Sequence, residues 1–269
     1  MHVFMPLKRI STPQKWFLAA AVLLVLFIVY TVVVSTGVLL YSTLYQEQWL
    51  LHRPLNRFDC VLLEWKQFGE IGYSLFFTLL LGIACLCLKY RYRMLPYLFL
   101  LLLLGIGLEY VGKHQFPQPV PDKLRSGLNS LSCPQLSDAH RSTKILVALG
   151  AWWQAPPVRS GRVKKEQSST LIPIVIDEDA SNIYGYPSGH AMRWCFIGLV
   201  TCWLAWRHVK YQIPRALLMV IALVIAFGGG FAQFYIGLHL PTDLVAGYLM
   251  GAGSACCAIG LLVGNGTRC

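Results

Sequence analysis

Tyr186-Pro-Ser-Gly-His190 runs without a break into Ala191-Met-Arg-Trp-Cys-Phe-Ile-Gly-Leu-Val-Thr-Cys-Trp-Leu-Ala-Trp206. A polar, glycine-containing turn thus opens onto an apolar run long enough to cross a bilayer. Further along, His239-Leu-Pro-Thr-Asp243 opens onto a second such run, Leu244 to Val263. Each histidine stands at the mouth of an apolar segment. Two membrane helices can therefore carry both rings to one polar site. This arrangement predicts an all-α, polytopic membrane helix bundle rather than a soluble domain.

Composition agrees. Of 269 residues, 56% are hydrophobic and 13% charged, about half the charge of a soluble domain. Lys and Arg exceed Asp and Glu by 23 − 12 = 11. In a membrane chain that excess reflects topology and a phosphate-rich surface rather than nucleic acid, for which no Arg/aromatic motif is present. Nine cysteines form no metal-binding pattern. Cys85, Cys87, Cys195, Cys202, Cys256 and Cys257 lie inside apolar runs, where cysteine acts as a small hydrophobe.

Six transmembrane spans are predicted: Trp16–Leu40, Ile71–Leu88, Leu95–Val111, Ser188–Trp206, Ala216–Phe231 and Leu244–Val263. Lys8, Arg9 and Lys15 precede the first, which is too long for a signal-peptide core and reads as uncleaved. Residues 1–15 form an N-terminal segment, 16–263 one membrane domain and 264–269 a tail. The N-terminus, Lys89-Tyr-Arg-Tyr-Arg93 and the Arg207–Arg215 connection are basic, and alternation puts all three on one side. The positive-inside rule makes that side cytoplasmic, together with both termini. Residues 41–70, 112–187 and 234–243 then lie outside, in the setting of a plasma membrane. Cys60 and Cys133 fall in two of these outer segments and are able to pair. Within the long 112–187 loop, Ile145–Trp153 suits an interfacial helix and Leu171–Ile176 a short strand, while 159–165 and Asp177–Asp179 read as solvated turns.

The chemistry lies in the two motifs. Gly189 lets backbone approach a ligand, and free N–H groups at a helix N-terminus bind phosphate. Ser188 adds a hydroxyl, and His190 is able to protonate a leaving oxygen. Pro241 opens the sixth span with Asp243 in its first turn, within reach of His239. A carboxylate on one ring nitrogen fixes the tautomer and leaves the other nucleophilic. Taken singly, each motif also reads as an interfacial histidine at a helix start.

Together the motifs resemble the type-2 phosphatidic acid phosphatase family, which includes undecaprenyl-diphosphate phosphatases and vanadium haloperoxidases. Its pattern is K-x6-R-P, then P-S-G-H, then S-R-x5-H-x3-D, and the resemblance covers roughly residues 70–263. P-S-G-H and H-x3-D match in full. Lys113 and Pro121 keep the ends of the first motif, but Val120 stands in place of its arginine, and Ala232-Gln233 replaces Ser-Arg in the third. In the family both arginines clamp the phosphate. Valine donates nothing, and glutamine donates without charge.

The resemblance implies a compact helical bundle around one polar pocket. It implies a metal-independent lipid phosphate or prenyl diphosphate phosphatase with no cofactor. His239 is the nucleophile, Asp243 its orienting carboxylate and His190 the acid. Lys113, Ser188, Gly189 and Gln233 hold the phosphate, and Arg193 is a candidate to replace a missing clamp. Arg193 lies one helical turn beyond His190, and a snorkelling role remains equally open. Lys123 and Arg125 are further candidates; Glu109 is placed to pair with Lys113 at i,i+4, and His114 adjoins it. Glu64, Lys66 and Glu70 read as the rim of the bundle. Two alternatives stand beside the phosphatase: a phosphotransferase that passes the phosphohistidine to a second hydroxyl, and a catalytically weak lipid-phosphate binder.

Overall fold

A computed structural model describes residues 11–39, 42–43, 45–46, 58, 61–62, 65–116, 118–120, 131–132, 158–159, 181–183, 185–236 and 239–265. Its frame is six long helices: α1 (Thr12–Ser35), α2 (Ile71–Cys87), α3 (Leu95–Gln115), α4 (Gly189–His208), α5 (Gln212–Tyr235) and α6 (Pro241–Asn265). A 3-10 turn, Lys66–Gly69, leads into α2. Two antiparallel ribbons accompany them. In the first, β1 (Gln118–Val120) pairs with β4 (Ser181–Ile183), with Val120 opposite Ser181. In the second, β2 (Leu131–Ser132) pairs with β3 (Val158–Arg159). The first ribbon joins the chain leaving α3 to the chain entering α4. The Cys60–Cys133 pair, the 145–153 and 171–176 segments, Asp177–Asp179, Glu64, Lys123 and Arg125 lie outside the described residues.

Helix ends differ from the sequence expectation where caps decide them. α1 begins at Thr12 rather than Trp16, because Ser11 caps it and the Gln14 side chain accepts from the Ser11 N–H at 2.9 Å. It ends before Gly37, whose φ of 74° only glycine adopts without strain. α3 continues to Gln115 rather than Val111, so Lys113 and His114 sit in its last turn, where cations favour the helix dipole. α4 starts at Gly189, with Ser188 as its N-cap. α5 runs from Gln212 to Tyr235 rather than from Ala216 to Phe231, which places Gln233 inside the helix.

α4 is the central helix and packs on α2, α3, α5 and α6, while α1 lies against α6. Close approach comes from small residues. A Cβ added to Gly198 would lie 2.6 Å from the Ala222 carbonyl oxygen and 2.6 Å from the Ala226 Cβ on α5. Gly247 and Gly251 of α6 pack in the same way against the backbone of Ser188 and Met192. On α3 the buried positions are Leu98, Leu102, Gly105, Glu109 and Gly112, a stripe alternating by four and three. One half of the bundle is filled with apolar side chains, among them Leu81, Leu102, Phe196, Val200, Ile259 and Leu262. The other half collects the N-termini of α2, α4 and α6 with the C-termini of α3 and α5, and its buried stripe positions turn polar.

Among the described residues, four helical segments are long and apolar enough to cross a membrane: Thr12–Ser35, Tyr92–Gln115, Gln212–Tyr235 and Pro241–Gly264. α2 is apolar but shorter. α4 is not among them, since His190, Arg193, Arg207 and His208 lower its hydropathy. Its neighbours enclose it, with Gly189 through Gly198 buried, so it has little need of a lipid-facing surface. The opposite case is α1, where Val25, Val29 and Val32 are 58%, 55% and 59% exposed. Such a surface suits hydrocarbon, not water.

The α4–α5 contact yields a paired prediction. Gly198→Ala puts a methyl group against backbone and should cost about 1–3 kcal/mol, more than alanine's helix propensity returns. Gly107→Ala has nothing within 4 Å of its new Cβ and should be neutral or slightly stabilising. Unfolding midpoints in detergent distinguish the two.

Candidate functional site

The first turns of α4 and α6 build the centre. Ser188 is fully buried, and its hydroxyl oxygen accepts from the Ala191 N–H at 3.4 Å. Its own N–H donates to the Asp243 carbonyl at 2.9 Å, which locks the two helix starts together. Asp243 is 2% exposed. Its Oδ2 accepts from the Leu240 N–H at 3.1 Å and lies 3.3 Å from Nδ1 of His239. The i,i+4 spacing places that carboxylate behind the ring and leaves Nε2 of His239 for other work. Gly185 closes over the pair, and a Cβ there would sit 2.7 Å from Oδ2 of Asp243.

His190 and His239 come together with ring centroids 6.3 Å apart and ring planes inclined by 54°. One tetrahedral group beside both rings is thus approached from two directions. Among the described residues, Nε2 of His190, Nε1 of Trp194, both side-chain polar atoms of Gln233 and Oδ1 of Asp243 are buried without a hydrogen-bond partner. Buried polar atoms are rarely left so, which suits a site meant for a polar ligand. Gln233 is 1% exposed. Trp194 packs on Gly229, and the Ala191 Cβ on Gly230, so Gln233 lies one turn further along, level with the start of α4. With three helix N-termini converging, this end of the bundle favours an anion.

The cations are arranged differently from the sequence expectation. Arg193 is 2% exposed, which removes the snorkelling alternative. Its Nε donates to the Gly69 carbonyl at 2.9 Å and its Nη1 to Oε2 of Glu109 at 2.5 Å. The other Glu109 oxygen accepts from Nζ of Lys113 at 2.6 Å, so the i,i+4 pair is present. The Glu109 carboxylate fills the space that a side chain at position 189 would need. Gly189 is therefore required by its neighbour as well as by any ligand. Val120 stands in β1, opposite Ser181 on the backbone ladder.

Two features escaped the sequence reading. One is the Glu109–Arg193 pair, joined across a separation of 84 residues. The other is the 66–69 turn. Gly69 lies against the His190 ring, and Oε1 of Glu70 is 3.8 Å from Nε2 of His190. Glycine within a rim segment was the available signal, since backbone approaches a ring this closely only without a Cβ. Tyr186 anchors the loop before α4, with its hydroxyl 2.7 Å from that of Thr31 on α1. Burial pushes the Tyr186 phenol up, so it stays protonated as a hydrogen-bonding group.

Residues 93–265 match the family model described as the PAP2 superfamily. A solved structure described as the first transmembrane PAP2 type phosphatidylglycerolphosphate phosphatase from Bacillus subtilis shares the fold, with a TM-score of 0.54 at 17% sequence identity, covering 93% of this chain and 99% of that one. No curated protein matches the sequence.

Removing the shared carboxylate should be costly. Glu109→Ala leaves Arg193 buried beside a second cation, and roughly 3–5 kcal/mol of stability should be lost. Replacing both partners, Glu109→Leu with Arg193→Leu, should recover most of that loss. Thermal unfolding of the single and double variants in detergent gives the comparison.

Proposed function

Since this chain belongs to the PAP2 superfamily, we propose that it is a membrane lipid phosphate or diphosphate phosphatase acting through a phosphohistidine on His239. The observation that carries this reading is the meeting of His190 with the His239–Asp243 pair at 6.3 Å between ring centroids. Asp243 holds the proton on Nδ1 of His239 and stabilises the positive charge that grows on the ring. Nε2 of His239 attacks phosphorus, and the bond from phosphorus to the lipid oxygen breaks. His190 gives its proton to that oxygen. A phosphate beside it supplies the counter-charge a buried imidazolium needs. Water then attacks the phosphohistidine, His190 takes the water's proton, and inorganic phosphate leaves with His239 restored. No step draws on a metal.

Lys113, Ser188, the Gly189 backbone and Gln233 hold the phosphate oxygens in this scheme. Lys113 retains two ammonium protons beyond the one given to Glu109. Arg193 adds positive potential from behind the α4 turn. All six helices cross the membrane, with both termini inside and the site at the outer leaflet of the plasma membrane. The basic connections Lys89–Arg93 and Arg207–Arg215 favour that orientation. The two absent arginines favour a second reading, a weakly active protein that mainly binds lipid phosphate.

Phosphate release by detergent-purified protein, across phosphatidylglycerol phosphate, phosphatidate and a prenyl diphosphate, is the direct assay. His239→Ala should release none above background, and His190→Ala should be slower by about 10²–10⁴-fold. Asp243→Asn should lower kcat far more than it raises KM, because it disturbs the tautomer rather than the phosphate contacts. Undiminished release by His239→Ala would sink the phosphohistidine scheme, and binding without release by the wild type would select the second reading.

Sidedness has its own test. Reporter fusions after Lys165 should read as external and those after Lys210 as internal. The reverse pattern would put the site at the inner leaflet.

A further inference from the structure

The site has fewer free cations than its sequence suggests. Arg193 and Lys113 share the Glu109 carboxylate, so together the three side chains hold a single net positive charge. A phosphoryl group in transfer spreads negative charge over several oxygens and needs more than that. The turn that crosses the site supplies a candidate.

In a 3-10 helix, residues three apart eclipse one another. Lys66 and Gly69 bound such a turn, and Gly69 is the residue pressed against His190. Positions 66 and 69 therefore share one face of the turn. Burial agrees: Trp65, Gln67, Phe68 and Glu70 are exposed, whereas Gly69 is buried and Lys66 half-buried. Among the described residues no ion pair takes up the Lys66 charge. The hydrogen bond from Nε of Arg193 to the Gly69 carbonyl fixes the turn in this position.

We infer that Lys66 is a phosphate-binding residue of this site, supplying from the turn before α2 the positive charge missing at Val120 and Gln233. Arg193 then acts on the phosphate mainly as the pin that holds the Lys66 turn in place. The inference rests on the phosphatase reading for its role in turnover, but not for anion binding. Any ligand bearing a phosphate-like headgroup would meet the same ammonium.

The test uses the full-length protein in detergent and orthovanadate as the probe, with binding followed by vanadium NMR line broadening beside phosphate release from lipid. Lys66→Ala should weaken vanadate binding roughly 10–100-fold, the loss expected for one charge-assisted contact. Its unfolding midpoint should stay at the wild-type value. Lys66→Arg should restore most of the affinity, and Lys210→Ala, at the far end of the bundle, should leave it unchanged. Vanadate binding that depends on Lys66 in a protein that releases no phosphate supports the inference while removing the phosphatase reading. Wild-type vanadate affinity in Lys66→Ala, or no vanadate binding by the wild type, overturns the inference whatever the turnover.

Discussion

Glu109 places a carboxylate in the seam between α3 and α4, where a charge without partners would be costly to hold. Desolvation there is tolerated only because Arg193 and Lys113 both donate to it, at 2.5 and 2.6 Å. Much else follows from that requirement. The register of α3 against α4 is set, since position 109 must meet both position 193 and the bare Cα of Gly189. Lys113 is held in the last turn of α3 instead of trailing into the loop. Arg193, fixed at one end by Glu109, offers Nε to the Gly69 carbonyl and draws the 66–69 turn over His190. One buried acid thereby connects two helices and the turn that covers the ring.

The platform beneath is stiff for a different reason. Gly198, Gly247 and Gly251 bring backbone against backbone on two sides of α4. At such contacts a helix has little room to slide or rotate, because the neighbour at the limit is main chain rather than a side chain able to change rotamer. The N-terminal amides of α4 are thus presented at a fixed place relative to Asp243, whose carbonyl accepts from Ser188. Preorganised donors of this kind need no rearrangement when charge develops nearby.

Features encoded within a few residues were legible in the sequence. Pro187–His190 and His239–Asp243 each carry their geometry locally, as a helix start and an i,i+4 pair, and the apolar runs announced the bundle. Lys113 and Glu109 were legible as a pair for the same reason. Contacts made between distant segments were not. Nothing near Glu109 in sequence points to Arg193, and nothing near Gly69 points to the Arg193 side chain that holds its carbonyl. Helix ends slipped where a cap, not hydropathy, decides them, as at Ser11 with Gln14. The β1–β4 ribbon is three residues long on each side and includes Pro119, too short for alternation to register. The hydropathy of α4 is lowered by His190 and Arg193, polar residues that it brings to the site.

The distance between the two histidine rings also bears on topology. Two side chains 6.3 Å apart lie on the same side of a membrane, so the chain between them crosses it an even number of times. Only α4 and α5 lie between His190 and His239. α5 has the length and apolar character of a crossing helix. If it crosses, α4 must cross as well, whatever its own hydropathy. A span count that left α4 out would put the two halves of one site on opposite faces of the bilayer. Parity across a polar site thus corrects such a count, and the rule extends to any membrane bundle whose most buried helix is also its most polar.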